Sequence, residues 1–352
     1  MRSYRKPAAA GLGCLFALAT AACSGQGDAA PPASRAPTSA TSPTATAAAG
    51  TSYAPYLSAT EAVATDTAGS PTTYNLAFVI ADGDDCTPRW HGTHAIGDSA
   101  VTSRIAKLKE DGARVRVSFG GASGKELAAN CDSASELAAA YGKALDAAGS
   151  TLADFDIEGD ELSDSASIAL RSKAIAQLQK ERTGLEVSFT LPVMPSGLDK
   201  DGLALLGSAN DNGVQVSTVN LMTMNYGSSY DGDMGGYALT SAKAAHTQLK
   251  KAFGTSDATA WQGMALTSMI GVNDVENETF TLGDAAEVRA FAEEKGVAWV
   301  SMWSTARDRQ CADGSASAEA ATDCSGVTQR PGAFGKAFAG WHRGSVREGL
   351  AG

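Results

Sequence analysis

Short apolar runs recur along the chain from Tyr53 onward, and Ala-rich amphipathic segments of helical length separate them. The runs carry few charged residues, which is typical of strands that are covered on both faces. In chain order they are YAPYLS (53–58), YNLAFVIAD (74–82), RVRVSFGGA (114–122), LADFDIEG (152–159), LEVSFTLPVM (185–194), TVNLMTMNYG (218–227), MALTSMIGVND (264–274) and VAWVSMWSTARD (297–308). The pattern predicts eight strands that alternate with helices.

Strands that alternate with helices form parallel βαβ units. The segments at 133–149 and 165–184 predict two of these helices; the first opens with Ser133 and closes with Gly149, and the second closes with Gly184. Eight such units within about 295 residues predict an α/β fold, a (β/α)8 TIM barrel, which we place at residues 51–345. An open doubly wound sheet is the alternative, but no Gly-rich phosphate turn follows an early strand.

The two ends of the chain depart from this pattern. Residues 1–22 carry cations ahead of a mostly apolar stretch, which is the layout of an export signal. Cys23 follows small residues as in a bacterial lipobox, although Thr20 stands where an aliphatic residue is usual. Residues 23–50 are rich in Pro, Ala, Ser and Thr and predict a disordered tether, and 346–352 form a short tail. We therefore expect an extracellular protein that a lipid on Cys23 anchors to the outer face of the cell membrane; ordinary secretion is the alternative.

The net charge of the chain restricts the classes of partner that it can bind. The formal net charge is −11, and removal of the three cations of the export signal lowers it to −14. A surface this acidic repels nucleic acid and anionic lipid. We expect no nucleic-acid partner, membrane contact only through Cys23, and a monomer.

Four cysteines follow the lipobox, and in an exported chain they predict two disulfides with three pairings open. A bridge between Cys86 and Cys131 would connect the rims after the second and third strands, which are neighbours in a barrel. Cys311 with Cys324 would then close a loop after the eighth. The cysteine spacings do not resemble a zinc site and the four histidines form no HExxH-like array, so we expect no metal and no other cofactor.

Three acids share one face of the fourth predicted strand. Residues 152–162 read LADFDIEGDEL, so Asp154, Asp156 and Glu158 alternate with residues that we expect to be buried. Asp156 and Glu158 lie roughly 7 Å apart along the strand. Two close carboxylates cannot both ionise easily, and one therefore holds a proton near neutral pH. At the C-terminal mouth of a barrel, where active sites lie, a protonated Glu158 is a candidate general acid.

These residues also carry a family resemblance. DFDIEG resembles the last part of the D-x-x-D-x-D-x-E signature of glycoside hydrolase family 18, the chitinases and their relatives. Three further matches fall on the third, sixth and eighth runs, as that family requires. They are S-x-G-G (Ser118, Gly120, Gly121), M-x-Y (Met224, Tyr226) and Trp303.

The resemblance implies a role for each residue. Glu158 would protonate the glycosidic oxygen, Asp156 would orient the substrate acetamide, and Asp154 would support Asp156 from deeper in the barrel. Tyr226 would donate to the acetamide oxygen, and Trp303 would form the floor of the sugar subsite. No protein nucleophile is implied, because in this family the acetamide oxygen attacks the anomeric carbon.

The remaining matches imply a substrate-binding set of Ser118, Gly120, Gly121, Met224, Asn225 and Trp303. Two positions depart from the family pattern: Thr151 replaces the first Asp of the signature, and Gly227 follows the Tyr where many chitinases have Asp. We expect Asn225 to supply the polar contact instead. At the seventh rim, Asn273 and Asp274 are equally compatible with packing and with binding of sugar hydroxyls.

The expected function is hydrolysis, with retention, of the β-1,4 bonds of chitin or of another oligosaccharide that contains N-acetylglucosamine. An endo-β-N-acetylglucosaminidase acting on glycoprotein glycans would use the same residues. A sugar-binding barrel without catalysis is the third interpretation, and the presence of Glu158 with Asp156 argues against it.

Overall fold

The computed structural model of the protein describes residues 50–312 and 320–340. The predicted export signal, Cys23, nearly all of the predicted tether and the tail at 346–352 lie outside these residues. Within them the strands are β1 (Ser52–Tyr53), β2 (Tyr56–Ser58), β3 (Thr73–Asp82), β4 (Asp85–Trp90), β5 (His94–Ala95), β6 (Arg114–Gly120), β7 (Leu152–Asp156), β8 (Glu186–Pro192), β9 (Val216–Met222), β10 (Met264–Met269), β11 (Gly271–Val272), β12 (Thr279–Phe280) and β13 (Trp299–Trp303).

Eight parallel strand positions, called staves below, close into a barrel. β1 and β2 together make the first stave: β1 pairs with β13, and β2 pairs with β3. The other seven staves are neighbours in chain order, namely β3, β6, β7, β8, β9, β10 and β13. Each of the eight predicted apolar runs overlaps one stave, and the prediction of a (β/α)8 barrel is confirmed. The closure excludes the open doubly wound sheet.

Helices cover the outside of the barrel. In the described part of the chain they are α1 (Ser99–Lys109), α2 (Ala134–Ala148), α3 (Gly159–Ser163), α4 (Ser165–Glu181), α5 (Lys200–Asp211), α6 (Met234–Phe253), α7 (Asp257–Gln262), α8 (Leu282–Lys295) and α9 (Ala333–Phe338). Two short 3-10 helices, Leu127–Ala129 and Thr305–Arg307, lie after β6 and β13.

The helix ends test the predicted caps. The Ser133 side chain accepts from the first turn of α2, and Gly149 ends that helix with a left-handed φ of 56°, as predicted. The prediction that Gly184 closes the next helix is wrong. α4 ends at Glu181, and Arg182 leaves the helical conformation with its guanidinium hydrogen-bonded to Asp146 of α2.

Three connections depart from simple βα repetition. Turns, not a helix, occupy much of residues 59–72 after the first stave, and hairpins precede the helices after β3 and β10 (β4–β5 and β11–β12). The two disulfides join Cys86 to Cys131 and Cys311 to Cys324, so the predicted pairing is confirmed. The first disulfide ties the β4 hairpin to the loop after β6.

The alternation along β7 decides what faces the barrel axis. Phe155 packs outward, its ring 5.3 Å from Phe119 and 4.9 Å from Tyr141 of α2. Asp154 and Asp156, on either side of it, therefore point inward. Within the described residues, the structure contains no helix with the length and apolar character needed to cross a bilayer.

Candidate active site

A cleft of about 500 Å³ opens at the C-terminal ends of the staves, the end where barrel enzymes place their active sites. Seven of the eight staves, or the loops that follow them, contribute to its walls. The lining residues are Phe78, Ala122, Asp156, Glu158, Thr190, Met222, Met224, Asn225, Thr267, Met269, Asp274 and Trp303. The structure thus brings four of the predicted site residues together at the cleft surface, in addition to the acid Glu158.

Asp154 lies below the cleft and accepts four hydrogen bonds from hydroxyl groups. Tyr56 and Ser118 donate to Oδ2 at 2.8 and 2.7 Å, and Ser188 and Thr190 donate to Oδ1 at 2.7 and 2.8 Å. A carboxylate has about four lone-pair positions, and all of them are used here. This fixes the first inward acid of β7 and places it directly beneath the second.

Asp156 forms the acidic floor of the cleft. Its side chain is buried, and its Oδ1 atom has no hydrogen-bond partner among the described residues. Burial raises the pKa of Asp156 well above its ordinary value, and the nearby charges of Glu158 and Asp154 raise it further. The result is a carboxyl that holds a proton easily and keeps one oxygen free for a ligand in the cleft.

Glu158 lies two residues beyond Asp156, at the N-terminal end of α3. Burial raises its pKa to about 7, and the charge of Asp274 adds to the increase. A side-chain hydrogen bond joins it to Asp156; this bond lowers the pKa of Glu158 and raises that of Asp156. The raised pKa values and the hydrogen bond allow the two carboxyls to share one proton in the unliganded state.

Aromatic rings form one wall of the cleft. Phe78 at β3 and Trp303 at the end of β13 stack with centroids 5.5 Å apart, and the ring of Tyr56 packs against both at about 6 Å. Trp303 lies where the resemblance predicts a sugar floor. Phe78 was not among the predicted site residues, because it belongs to a strand-like run in which an aromatic residue predicts core packing. Tyr56 does not line the cleft; it is buried behind this wall and donates to Asp154.

The structure changes the roles expected for the S-x-G-G residues. Ser118 is fully buried and donates to Asp154, so it supports the acids and is not exposed to a sugar. Gly120 and Gly121 have φ of 101° and 89°; a Cβ on Gly120 would collide with the Asp156 carbonyl, and one on Gly121 with the Phe78 ring. These two glycines let the end of β6 approach its neighbours closely, and Ala122 is the residue of this loop that lines the cleft.

The loop after β9 corrects one assignment. Met224 and Asn225, both predicted to bind substrate, line the cleft. Tyr226 does not: it is buried, its ring packs against Tyr230 and Tyr237, and its hydroxyl faces Ser241 of α6. Asn225 has a φ of 54°, and after this left-handed residue the chain turns so that the next side chain points away from the cleft.

Asp274 is the acidic group that the sequence left undecided. It lies on the β11–β12 hairpin, lines the cleft, and its Oδ2 accepts from Asn225 Nδ2 at 3.2 Å. Its neighbour Asn273 is buried instead and donates to the carbonyls of Met269 and Gly271. Of the two residues, Asp274 faces the ligand space and Asn273 shapes the loop.

In the part of the chain that the structure describes, one other group of acids lies outside the cleft. Carboxylate oxygens of Asp233, Asp284 and Glu287 lie within 4.8 Å of one another. Asp233 and Asp284 already accept from backbone N–H groups at the starts of α6 and α8. The cluster is therefore accounted for by helix capping.

The chain is similar in sequence to chitinases, although no family model matches it. It is 36% identical over 275 residues to a probable bifunctional chitinase/lysozyme of Escherichia coli and 35% identical over 274 residues to endochitinase 11 of Metarhizium anisopliae. Each match covers 73% of this chain, but only 31% and 52% of those relatives, so the chain spans about a third and about half of their lengths.

Solved structures agree with these matches. The catalytic domain of a hyperthermophilic chitinase from Pyrococcus furiosus superimposes with a TM-score of 0.72 and 29% identity, covering 81% of this chain and 93% of that domain. Structures of catalytic-site mutants of a chitinase domain from the same organism include complexes with chito-oligosaccharides. Fold and sequence therefore indicate the same group of proteins.

Proposed function

Since the chain is a chitinase-like member of glycoside hydrolase family 18, we propose that it hydrolyses the β-1,4 bonds of chitin oligosaccharides, with Glu158 as the general acid and base. One observation carries the proposal: Asp156 and Glu158 are hydrogen-bonded carboxyls at the floor of a cleft, and the pKa of each is raised. Chito-oligosaccharide complexes of the Pyrococcus domain support the substrate class.

The reaction that fits this pair is substrate-assisted. A sugar of the chain would stack against Trp303 and Phe78, with its acetamide over Asp156. As the acetamide N–H donates to Asp156, the shared proton moves to Glu158, which gives it to the glycosidic oxygen while the bond to the anomeric carbon breaks. The acetamide oxygen attacks that carbon and forms a cyclic oxazolinium ion.

The second half returns the proton. Glu158, now a carboxylate, takes a proton from a water molecule as that water attacks the anomeric carbon from the face that the leaving group left. The oxazolinium ring opens, and the product sugar keeps the β configuration. Asp156 holds the positive amide throughout, and Asp154 contributes through its fixed position beneath Asp156.

Substitution of the acid tests this proposal. Glu158→Gln keeps the shape of the side chain but removes the transferable proton, so turnover of chitin oligomers should fall at least ~10²-fold, while binding persists. Asp160→Asn, an exposed acid in the same turn, is the matched control and should retain activity. Full activity of the Glu158 variant would refute the assignment.

The substrate class needs its own comparison. Chitin oligomers and a high-mannose glycopeptide should be offered side by side, and the product pattern recorded. We expect cleavage of the oligomers. Preferential cleavage of the glycopeptide would replace this proposal with the endo-β-N-acetylglucosaminidase interpretation, and binding of oligomers without cleavage would favour a non-catalytic sugar-binding protein.

We also propose that the protein is exported and anchored through a lipid on Cys23; the layout of residues 1–22 supports this. The wild-type protein should then fractionate with membranes, and Cys23→Ala should release it or block its processing. Recovery of all wild-type protein in the medium would contradict the anchor.

A further inference from the structure

Glu278 is a buried carboxyl that the proposed reaction does not use. It lies just before β12 in the hairpin that follows β10, and only 1% of its surface is exposed. It is not among the residues that line the cleft. Burial raises its pKa, and an acid is costly to keep in such a position unless its oxygens are hydrogen-bonded.

The partners of Glu278 come from a different loop. Gly227, after β9, donates its backbone N–H to Oε1 at 2.8 Å. The backbone N–H groups of Gly227, Asn225 and Tyr226 all lower the pKa of Glu278. The Gly227 hydrogen bond fixes Oε1, whereas Oε2 is buried and has no hydrogen-bond partner among the described residues.

The turn at residues 225–227 is held in a conformation that side chains disfavour. Asn225 has a φ of 54° and Gly227 a φ of 114°. A non-glycine residue in the left-handed region needs support from its surroundings. The Glu278 carboxyl supports the end of this turn by accepting from the backbone N–H of Gly227.

The two loops joined by Glu278 carry two groups of the cleft. Asn225 lines it from the β9 side, Asp274 lines it from the hairpin, and their side chains are hydrogen-bonded at 3.2 Å. The backbone of Glu278 also fixes the hairpin, since its carbonyl accepts from Asn273 and its N–H donates to Val275. One residue therefore anchors both sides of the Asn225–Asp274 pair.

We propose that Glu278 is a positioning residue that holds Asn225 and Asp274 beside the acid Glu158. The inference rests on the proposed role of Glu158. It adds a residue that touches neither substrate nor the reacting atoms, and that acts by fixing the geometry of two others.

The consequence is measurable through the pH dependence. The titratable groups that face Glu158 are Asp156 from the same strand and Asp274 from the hairpin. Arg307 lies near Asp274, and Tyr226 near Glu278. Because the charge of Asp274 raises the pKa of Glu158, a hairpin that loses its anchor should let that pKa fall.

The experiment compares Glu278→Ala, Asp274→Ala and the double variant on chitin oligomers over a range of pH. For Glu278→Ala, kcat/KM should fall about tenfold, the scale of one lost positioning hydrogen bond. The alkaline limb of its pH profile should move to lower pH by about half a unit, the order of effect expected when one solvent-exposed charge, that of Asp274, is displaced. The double variant should match Asp274→Ala in the position of that limb, because Glu278 acts through Asp274.

Two variants serve as controls. Glu276→Ala removes an exposed acid from the same hairpin and should leave the profile unchanged. Glu278→Gln keeps an oxygen that can accept from Gly227 and should restore most of the wild-type profile. If Glu278→Ala does not fold, Glu278→Asp, which withdraws the carboxyl from the turn, should show the same shift of the limb.

Either of two results would overturn the inference: a wild-type profile and kcat/KM for Glu278→Ala, or limb shifts of Glu278→Ala and Asp274→Ala that add in the double variant. If the alkaline limb of the Glu278→Gln profile moves as far as that of Glu278→Ala, anchoring by hydrogen bonds is also excluded. Glu158→Gln, assayed alongside, distinguishes this outcome from failure of the proposed function. An active Glu158→Gln would refute the proposed function, whereas an inactive Glu158→Gln together with a wild-type profile for Glu278→Ala would refute only the role of Glu278.

Discussion

At the scale of single residues, the two neighbouring aspartates of β7 have opposite surroundings. Asp154 accepts hydrogen bonds from four hydroxyls. Asp156, two residues further along the strand, has an oxygen without a partner in the described structure. The four hydroxyls provide the hydrogen bonds that a buried charge needs. Asp156 lacks them, and its raised pKa is what keeps a proton available beside Glu158.

The pKa of Glu158 predicts the alkaline side of the pH profile. As a general acid it must be protonated in the free enzyme, so kcat/KM should fall as pH rises above about 7. The pKa of Glu158 is higher in the folded protein than its ordinary value of 4.5, so protonation of Glu158 favours the folded state. The resulting stability is fully present below about pH 4.5 and is lost as pH rises through 7.

Initial rates on a soluble chitin oligomer across pH 4 to 9 would check this (about the range over which carboxyl and histidine groups titrate). A profile that is flat from pH 6 to about 9 would show that the limiting acid is not a group with this pKa.

The loop after β9 gives a second prediction at this scale. Tyr226→Phe should leave kcat/KM within about threefold of wild type, because the hydroxyl faces α6 and not the cleft. Asn225→Ala should reduce kcat/KM about tenfold, since it removes an amide that lines the cleft. Steady-state kinetics of the two variants test both expectations. A larger loss of kcat/KM for Tyr226→Phe than for Asn225→Ala would restore the assignment of Tyr226 to the substrate acetamide.

The sequence predicted the acids better than their neighbours. Alternation along β7 identifies the inward face, so Asp154, Asp156 and Glu158 were found from the strand pattern alone. Tyr226 was misplaced because a motif spacing does not reveal the left-handed turn at Asn225. Ser118 was assigned to the substrate because the depth of a residue within a barrel depends on strand tilt, which the sequence does not show.

At the scale of elements, the strands were predictable and the insertions were not. Every stave is a buried apolar run, and burial on both faces leaves that signature in the sequence. The β4–β5 and β11–β12 hairpins consist of short strands with mixed residues, for which a local pattern is weak. The second hairpin nevertheless carries both Asp274 and Glu278.

The disulfides allow a prediction about elements. Cys86–Cys131 closes a sequence separation of 45 residues and Cys311–Cys324 one of 13. On chain entropy alone, the first should contribute roughly 4 kcal/mol to the free energy of unfolding and the second roughly 3. Urea unfolding of the Cys86→Ser/Cys131→Ser and Cys311→Ser/Cys324→Ser variants would measure both.

The larger loss is expected for the first pair, because it closes the longer loop. A larger loss for the second pair would mean that native contacts, and not the unfolded chain, determine what each bridge contributes.

At the scale of the whole molecule, the closed barrel brings into one cleft residues that lie far apart in the chain. The wall and the floor combine Phe78, Asp156, Met224 and Trp303, which come from four staves or the loops beyond them. The strongly negative net charge is compatible with a neutral polysaccharide, whose binding depends on stacking and hydrogen bonds more than on charge.

The central claim is that the substrate's own acetamide is the nucleophile. It is motivated by the placement of Asp154, Asp156 and Glu158 on a single strand and its immediate extension, with no carboxyl of the protein assigned to attack the sugar. A neutral thiazoline that mimics the cyclised acetamide should inhibit, and oligomers of cellulose or fully deacetylated chitosan should be poor substrates.

The most direct measurement is the anomeric configuration of the first product, followed by proton NMR during hydrolysis of a chitin oligomer. Attack by the acetamide and then by water inverts the anomeric carbon twice, so the account predicts that the β anomer is released first and that the α anomer accumulates only by mutarotation. Release of the α anomer first would contradict it, because a single direct attack by water would then have broken the bond.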